Sequence, residues 1–182
     1  MANFIENDGF EVKYKLDTLL LSDSPSTMAK TTGLSSIELS SVINNSNPNI
    51  VMIVGDRYET MATAIAASYS NVLLAHTMGG ELSGSIDKSI RHSITKSAHY
   101  NFVACDSAKK RVVQMGEDHR SVINVGCPRL DLAKKIASET FDNSELEFLS
   151  KHGVGTSISI NASFAIISIN PVTTTQENPN CQ

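Results

Sequence analysis

Short apolar runs at Ile50 to Val54, Val72 to Ala75, Phe102 to Ala104 and Val122 to Val125 recur along this chain on a beat of about 20–30 residues, with helix-patterned segments between them. Strands alternating with helices at that spacing build βαβ units. The expected fold is therefore α/β: a Rossmann-like parallel sheet with helices on both faces. The intervening helices are read at about Glu59 to Ser68, Asp87 to Ala98, Ser107 to Met115 and Leu130 to Ala137. Upstream, Asp23 or Ser24 can cap a helix with Pro25 at its first position, running to Asn44 with a possible interruption at Gly33. The period-two alternation from Glu11 to Lys15 suggests a further short strand.

The composition fits this reading and removes several function classes. With 182 residues and 41% hydrophobic content, the chain can bury one domain's core and carry a small extension. A net charge of -4 gives no support to a nucleic-acid surface, whose footprint is a clustered basic face. Cys105, Cys127 and Cys181 are odd in number and lack C-x-x-C spacing, so neither a disulfide framework nor a zinc site is indicated. The start, MANFIENDGF, has no basic segment followed by an apolar stretch, and no run approaches the ~18 apolar residues of a membrane span. A reducing cytoplasm is the expected location, with no membrane partner.

In parallel α/β sheets the functional loops lie beyond the carboxyl ends of the strands. Gly55-Asp56-Arg57 follows one such strand, Gly79 to His92 (GGELSGSIDKSIRH) follows the next, and Cys127-Pro128-Arg129 follows a later one. These loops are expected to converge on one edge of the sheet. Glu81 and Asp87 flank a flexible stretch containing Gly84, and Arg91 follows Asp87 by one helical turn, on the same face. Asp56, Glu81 and Asp87 can supply general acid and base, while Arg57 and Arg91 can hold a phosphate or diphosphate.

Each residue also has a plainer reading. Asp56 can be only a turn former, Asp87 only a helix N-cap, and Arg91 with His92 a solvated helix face. His76 and His99 read as packed or surface histidines rather than metal ligands, and Cys105 and Cys127 as small buried residues.

The strings GDRYE (Gly55 to Glu59), HTMGGELSGSIDKSIRHSITKSAHYNF (His76 to Phe102), MGED (Met115 to Asp118) and VGCPRLD (Val125 to Asp131) carry a further signal. In that order they resemble the hydrolysing UDP-N-acetylglucosamine 2-epimerases of sialic acid precursor synthesis. The resemblance implies one half of a GT-B-type fold, with the active site in a cleft between two Rossmann-like domains. It implies conversion of UDP-N-acetylglucosamine and water to N-acetylmannosamine and UDP, by elimination and then hydration, without a cofactor or metal. It places Asp56, Glu81 and Asp87 on the family's acid/base carboxylates, Arg57 on its nucleotide-binding arginine, and Arg91 in substrate positioning. Asn170 stands where the family has the histidine of a His-Pro-Val-Thr-Thr motif. An asparagine does not titrate near neutral pH, so Asn170 is expected to contact substrate rather than exchange a proton.

Relative to that family, the first strand and most of the second domain are expected to be missing. Residues 1–137 form the first domain in this reading, and 138–182 a linker, a short helix and a strand from Phe164 to Ile169. A chain holding half a cleft is expected to be inactive or weakly active, with a nucleotide sugar as partner and a homo-oligomer as a possible assembly. The alternative is a non-catalytic remnant that binds a sugar nucleotide or a full-length subunit. A dinucleotide-dependent oxidoreductase is disfavoured because no G-x-G-x-x-G follows any strand.

Overall fold

The computed structural model describes residues 2–21, 24–138, 148, 151–155 and 167. It contains a four-stranded, all-parallel sheet in the order β1 (Ile50–Val54), β2 (Leu73–Thr77), β3 (Tyr100–Val103), β4 (Val122–Asn124). Helices connect the strands: α3 (Tyr58–Tyr69), α4 (Ile86–Ser97) and α5 (Asp106–Gln114), while α1 (Ala2–Asn7) and α2 (Pro25–Ser46) precede β1. The alternation read from the apolar runs is thus realised as a parallel sheet with helices. The chain divides into two compact units that part between Gly126 and Cys127. Helix α6 (Pro128–Ala137) belongs to the second unit, although the sequence reading gives it to the first domain.

Local chemistry accounts for the boundaries. Ser24 caps α2 by accepting the Thr27 N–H on its hydroxyl, with Pro25 following, and Asn47 closes the helix in the left-handed region with its N–H on the Ile43 carbonyl. Gly33 lies inside a continuous helix and does not break it. Helix α3 is lined with alanine, and Ala62, Ala64, Ala66 and Ala67 are all buried. Side chains this small let α2 and the sheet come close, and Ser36 on α2 reaches the Ala62 carbonyl.

One core gathers Ile43, Ile53, Ala64, Ala66, Ala67, Leu74, Ile94 and Ala98, joining α2, α3 and α4 to β1 and β2. A second gathers Val103, Ala108, Val112 and Val122, joining α5 to β3 and β4.

Two expectations are corrected. Residues Glu11 to Lys15 form no strand, because a strand needs a hydrogen-bonded neighbour and none pairs with them among the described residues. A continuous apolar run such as Ile50 to Val54 is typical of a strand buried on both faces, yet only Ile53 is buried and Val51 half-buried, while Ile50, Met52 and Val54 are exposed among the described residues. The expected strand from Phe164 to Ile169 lies outside the description.

Candidate active site

Gly55 ends β1 with φ +81°, a conformation that suits glycine, and its N–H donates to the Thr77 carbonyl of β2. Asp56 follows immediately. On the neighbouring strand end, Met78 adopts φ +64° and donates its N–H to the Phe102 carbonyl, turning the chain into Gly79, Gly80 and Glu81. A positive φ at a methionine is uncommon and costs backbone energy.

Arg91, from the second turn of α4, joins these two strand ends. Its Nη2 donates to Asp56 Oδ2, and its Nη1 stands 3.8 Å from Glu81 Oε2. The guanidinium side chain is 11% exposed, against 21% for Asp56 and 33% for Glu81. Arg91 is therefore not a solvated-face residue but a buried bridge between two carboxylates. Its Nε is buried and has no partner among the described residues.

His76 supports the bridge from below. Wholly buried, it places Nε2 2.8 Å from the Gly55 carbonyl and Nδ1 3.2 Å from Thr95 Oγ1, which also lies 2.9 Å from the Arg91 carbonyl. Burial pushes its pKa below the ordinary histidine value; the hydrogen bond to Gly55 and the charge of Asp56 oppose this, and the charge of Arg91 adds to it. A neutral ring must then donate from Nε2 to Gly55. The single Thr95 hydroxyl proton is left to serve Nδ1 and the Arg91 carbonyl. His92, one position after Arg91, is likewise pushed down, by burial and then by Lys88, with a hydrogen bond to the Glu81 backbone opposing and the charges of Arg111 and Arg91 adding.

The remaining expected residues are placed apart from this bridge. Asp87 lies in the exposed first turn of α4, where its carboxylate accepts from the Ser85 hydroxyl at 2.7 Å and Ser85 in turn accepts the Asp87 N–H. Asp87 and Arg91 are one turn apart, yet one is exposed and the other buried. Arg57 is exposed and held by Glu59 through Nε at 3.0 Å and Nη2 at 2.9 Å, which raises the arginine pKa and lowers that of the glutamate.

Cys105 is exposed at the N-terminus of α5 and Cys127 is half-buried, so neither is the small buried residue expected. The bond from Ser107 lowers the Cys105 thiol pKa. Asn170 lies outside the described residues. In the MGED turn, Glu117 pairs with Lys96, and the exposed Asp118 carboxyl is drawn down to about 2 by Arg120. No group of three metal-binding side chains stands together among the described residues.

His76, Thr95 and Arg111 are the structural residues that sequence reading did not attach to the site. Arg111 Nη1 donates to the Gly80 carbonyl. The spacing that could have found it is Ala108, Arg111 and Val112, at i, i+3 and i+4 on one face of α5.

Known proteins share this arrangement of strands and helices. The sequence model of the family described as UDP-N-acetylglucosamine 2-epimerase matches residues 1–181. A UDP-N,N'-diacetylbacillosamine 2-epimerase (hydrolyzing) from Legionella pneumophila is 36% identical over 141 residues, 78% of this chain and 37% of that protein. A UDP-N-acetylglucosamine 2-epimerase from Neisseria meningitidis is 46% identical over 98 residues, 54% of this chain and 25% of that protein. The matched segment thus spans between a quarter and little more than a third of the length of these relatives. Among solved structures, the Neisseria meningitidis UDP-GlcNAc 2-epimerase bound to UDP-GlcNAc superposes with TM-score 0.70 at 15% identity, covering 84% of this chain and 42% of that one. The Methanocaldococcus jannaschii enzyme in complex with UDP-GlcNAc and UDP gives 0.69 at 23%, covering 81% and 41%. These likenesses establish the fold: the parallel sheet with its helices is part of one half of a GT-B-type architecture.

Proposed function

The chain belongs to the UDP-N-acetylglucosamine 2-epimerase family, and we propose that it is part of a hydrolysing member, acting on a nucleotide-linked 2-acetamido sugar. In this reading UDP-N-acetylglucosamine and water give N-acetylmannosamine and UDP. The observation that carries it is the Arg91 guanidinium shared between Asp56 and Glu81 at adjacent strand ends.

Elimination removes the C2 proton and expels the diphosphate, and hydration of the resulting unsaturated sugar returns a proton to C2 on the other face. Both half-reactions require carboxylates near one carbon. Glu81 suits proton exchange because its contact with Arg91 is long and its side chain is the more exposed. Asp56, held closely by Arg91 and more buried, suits orientation of the guanidinium and of the water or hydroxyl that adds. Asp87 serves as the further acid/base group from the exposed first turn, and Asn170 contacts substrate. Arg57 engages the diphosphate by exchanging Glu59 for phosphate oxygens, to which a guanidinium fork is well matched. The reading carries a cytoplasmic location. Among the described residues no helix is long and apolar enough to cross a membrane.

A second reading, binding of a sugar nucleotide without turnover, draws support from Asp87, whose carboxylate is engaged by the Ser85 hydroxyl. A coupled assay for UDP release, together with calorimetry on UDP-N-acetylglucosamine, separates the two. Release abolished by Glu81→Gln supports the epimerase reading, binding without release supports the second, and neither binding nor release defeats both for this chain.

A further inference from the structure

We propose that Arg111 is a positioning residue for Glu81, fixing from α5 the peptide plane from which the Glu81 side chain departs. The inference rests on the proton-exchanging role given to Glu81 above. Its basis is the way Gly79 and Gly80 are wedged between two packed layers.

On one side of the turn, a Cβ placed on Gly79 would stand 3.1 Å from Thr95 Oγ1, 3.2 Å from Asn101 Oδ1 and 3.2 Å from His76 Nδ1. On the other, a Cβ on Gly80 would stand 2.5 Å from Val112 Cγ2 and 2.7 Å from the Ala108 carbonyl oxygen. Gly80 is also at φ +75°. The backbone therefore lies directly on the α5 face formed by Ala108, Arg111 and Val112, two of which are fully buried.

From that face Arg111 Nη1 donates to the Gly80 carbonyl. The carbonyl of Gly80 and the N–H of Glu81 belong to one planar peptide unit. A donor that holds the oxygen consequently fixes the plane and the axis about which Glu81 turns. Arg91 then meets the carboxylate from α4. Backbone and side chain of Glu81 are met by different arginines on different helices, which makes the Glu81 direction sensitive to α5. Helical segments that pack by apolar contact alone, as Ala108 and Val112 do, restrict approach distance but leave a peptide free to rock; a directed hydrogen bond removes that freedom.

The test is carbon-13 NMR of the 182-residue chain labelled at glutamate carboxyls, with Glu81 assigned by Glu81→Gln. In Arg111→Met the Glu81 carboxyl and amide signals are expected to shift by more than a line width. Arg111→Lys, which keeps a donor, is expected to bring them back toward wild type, and Lys110→Met, on the exposed side of α5, to leave them unchanged. In the wild type, the Arg111 guanidinium protons are expected to exchange about tenfold more slowly than those of an exposed arginine, a measurement independent of whether Arg111→Met folds. Unshifted Glu81 signals in a folded Arg111→Met, equal shifts in Lys110→Met, or unprotected Arg111 protons overturn the proposal. Binding of UDP-N-acetylglucosamine is read separately. Glu81 signals that move as expected in a chain that binds no nucleotide sugar sink the functional reading and leave the positioning intact, whereas binding with unmoved signals does the reverse.

Discussion

Arg91 and Asp56 lie 35 residues apart in sequence and meet through one guanidinium-carboxylate hydrogen bond, with the arginine the more buried of the two. A half-buried charge pair of this kind is costly to break from one side, because the survivor keeps its charge and loses its partner. Arg91→Met should destabilise the chain by about 2–4 kcal/mol in urea unfolding. Arg91→Lys should recover only part of this, since an ammonium lacks the planar fork that spans Asp56 and Glu81. A double substitution with Asp56→Asn measures the pair directly, and a coupling near zero would show that the contact contributes nothing.

Gly80 and Gly84 sit in the same loop and should respond oppositely to a methyl group. Gly80→Ala forces a positive φ on alanine and drives its Cβ into the Ala108 carbonyl, so a loss of about 2–4 kcal/mol is expected. At Gly84 nothing lies within 4 Å, and Gly84→Ala should change stability by less than about 1 kcal/mol. Thermal unfolding of the two variants side by side checks the contrast; equal effects would contradict the wedged placement of the first turn.

How much of this was legible in the sequence depends on whether the determinant was periodic or tertiary. The apolar runs and the helical spacing between them specify β1 to β4 and α3 to α5, because the switch between a short apolar run and a helical period marks where each strand ends and each helix begins. The carboxyl-end placement of Asp56 and Glu81 follows from that order. Burial of Arg91 was not legible, since IDKSIRHSITKS is polar enough to read as a solvated helix. The Glu11 to Lys15 alternation misled for a related reason: period two reports which face a strand would present, not whether a neighbour exists to pair with it. Asp87 shows the limit in the other direction. Its cap and its catalytic candidacy are both written in SGSID, and only the geometry shows the Ser85 hydroxyl engaging it.

That capping contact makes its own prediction. Ser85→Ala removes the acceptor for the Asp87 N–H and the donor to its carboxylate, at an expected cost of about 1 kcal/mol. Asp87→Asn keeps the Ser85 cap, so its stability loss should be the smaller, while any nucleotide-sugar turnover should fall with it. If turnover in the full chain survives Asp87→Asn undiminished, Asp87 is a first-turn partner of the Ser85 cap and nothing more.

His76 gives the fold a pH dependence whose sign follows from its burial. Because the ring is held neutral in the folded chain, its folded pKa lies below the unfolded value of about 6.5. Above that unfolded value both states carry a neutral ring and the full stability is present. As pH falls below it, the unfolded chain takes up a proton that the folded chain refuses, so stability declines until the folded pKa is reached. The slope contributed by this one group cannot exceed about 1.4 kcal/mol per pH unit, with His92 adding in the same direction. Urea unfolding between pH 7.5 and about 5 should therefore show falling stability. The decline should flatten in His76→Gln, which can still donate to the Gly55 carbonyl but takes up no proton. A His76→Gln curve as steep as that of the wild type would assign the dependence to other groups. It would also remove the physical basis for placing a neutral His76 beneath Gly55, with Thr95 dividing its hydroxyl between the ring and Arg91.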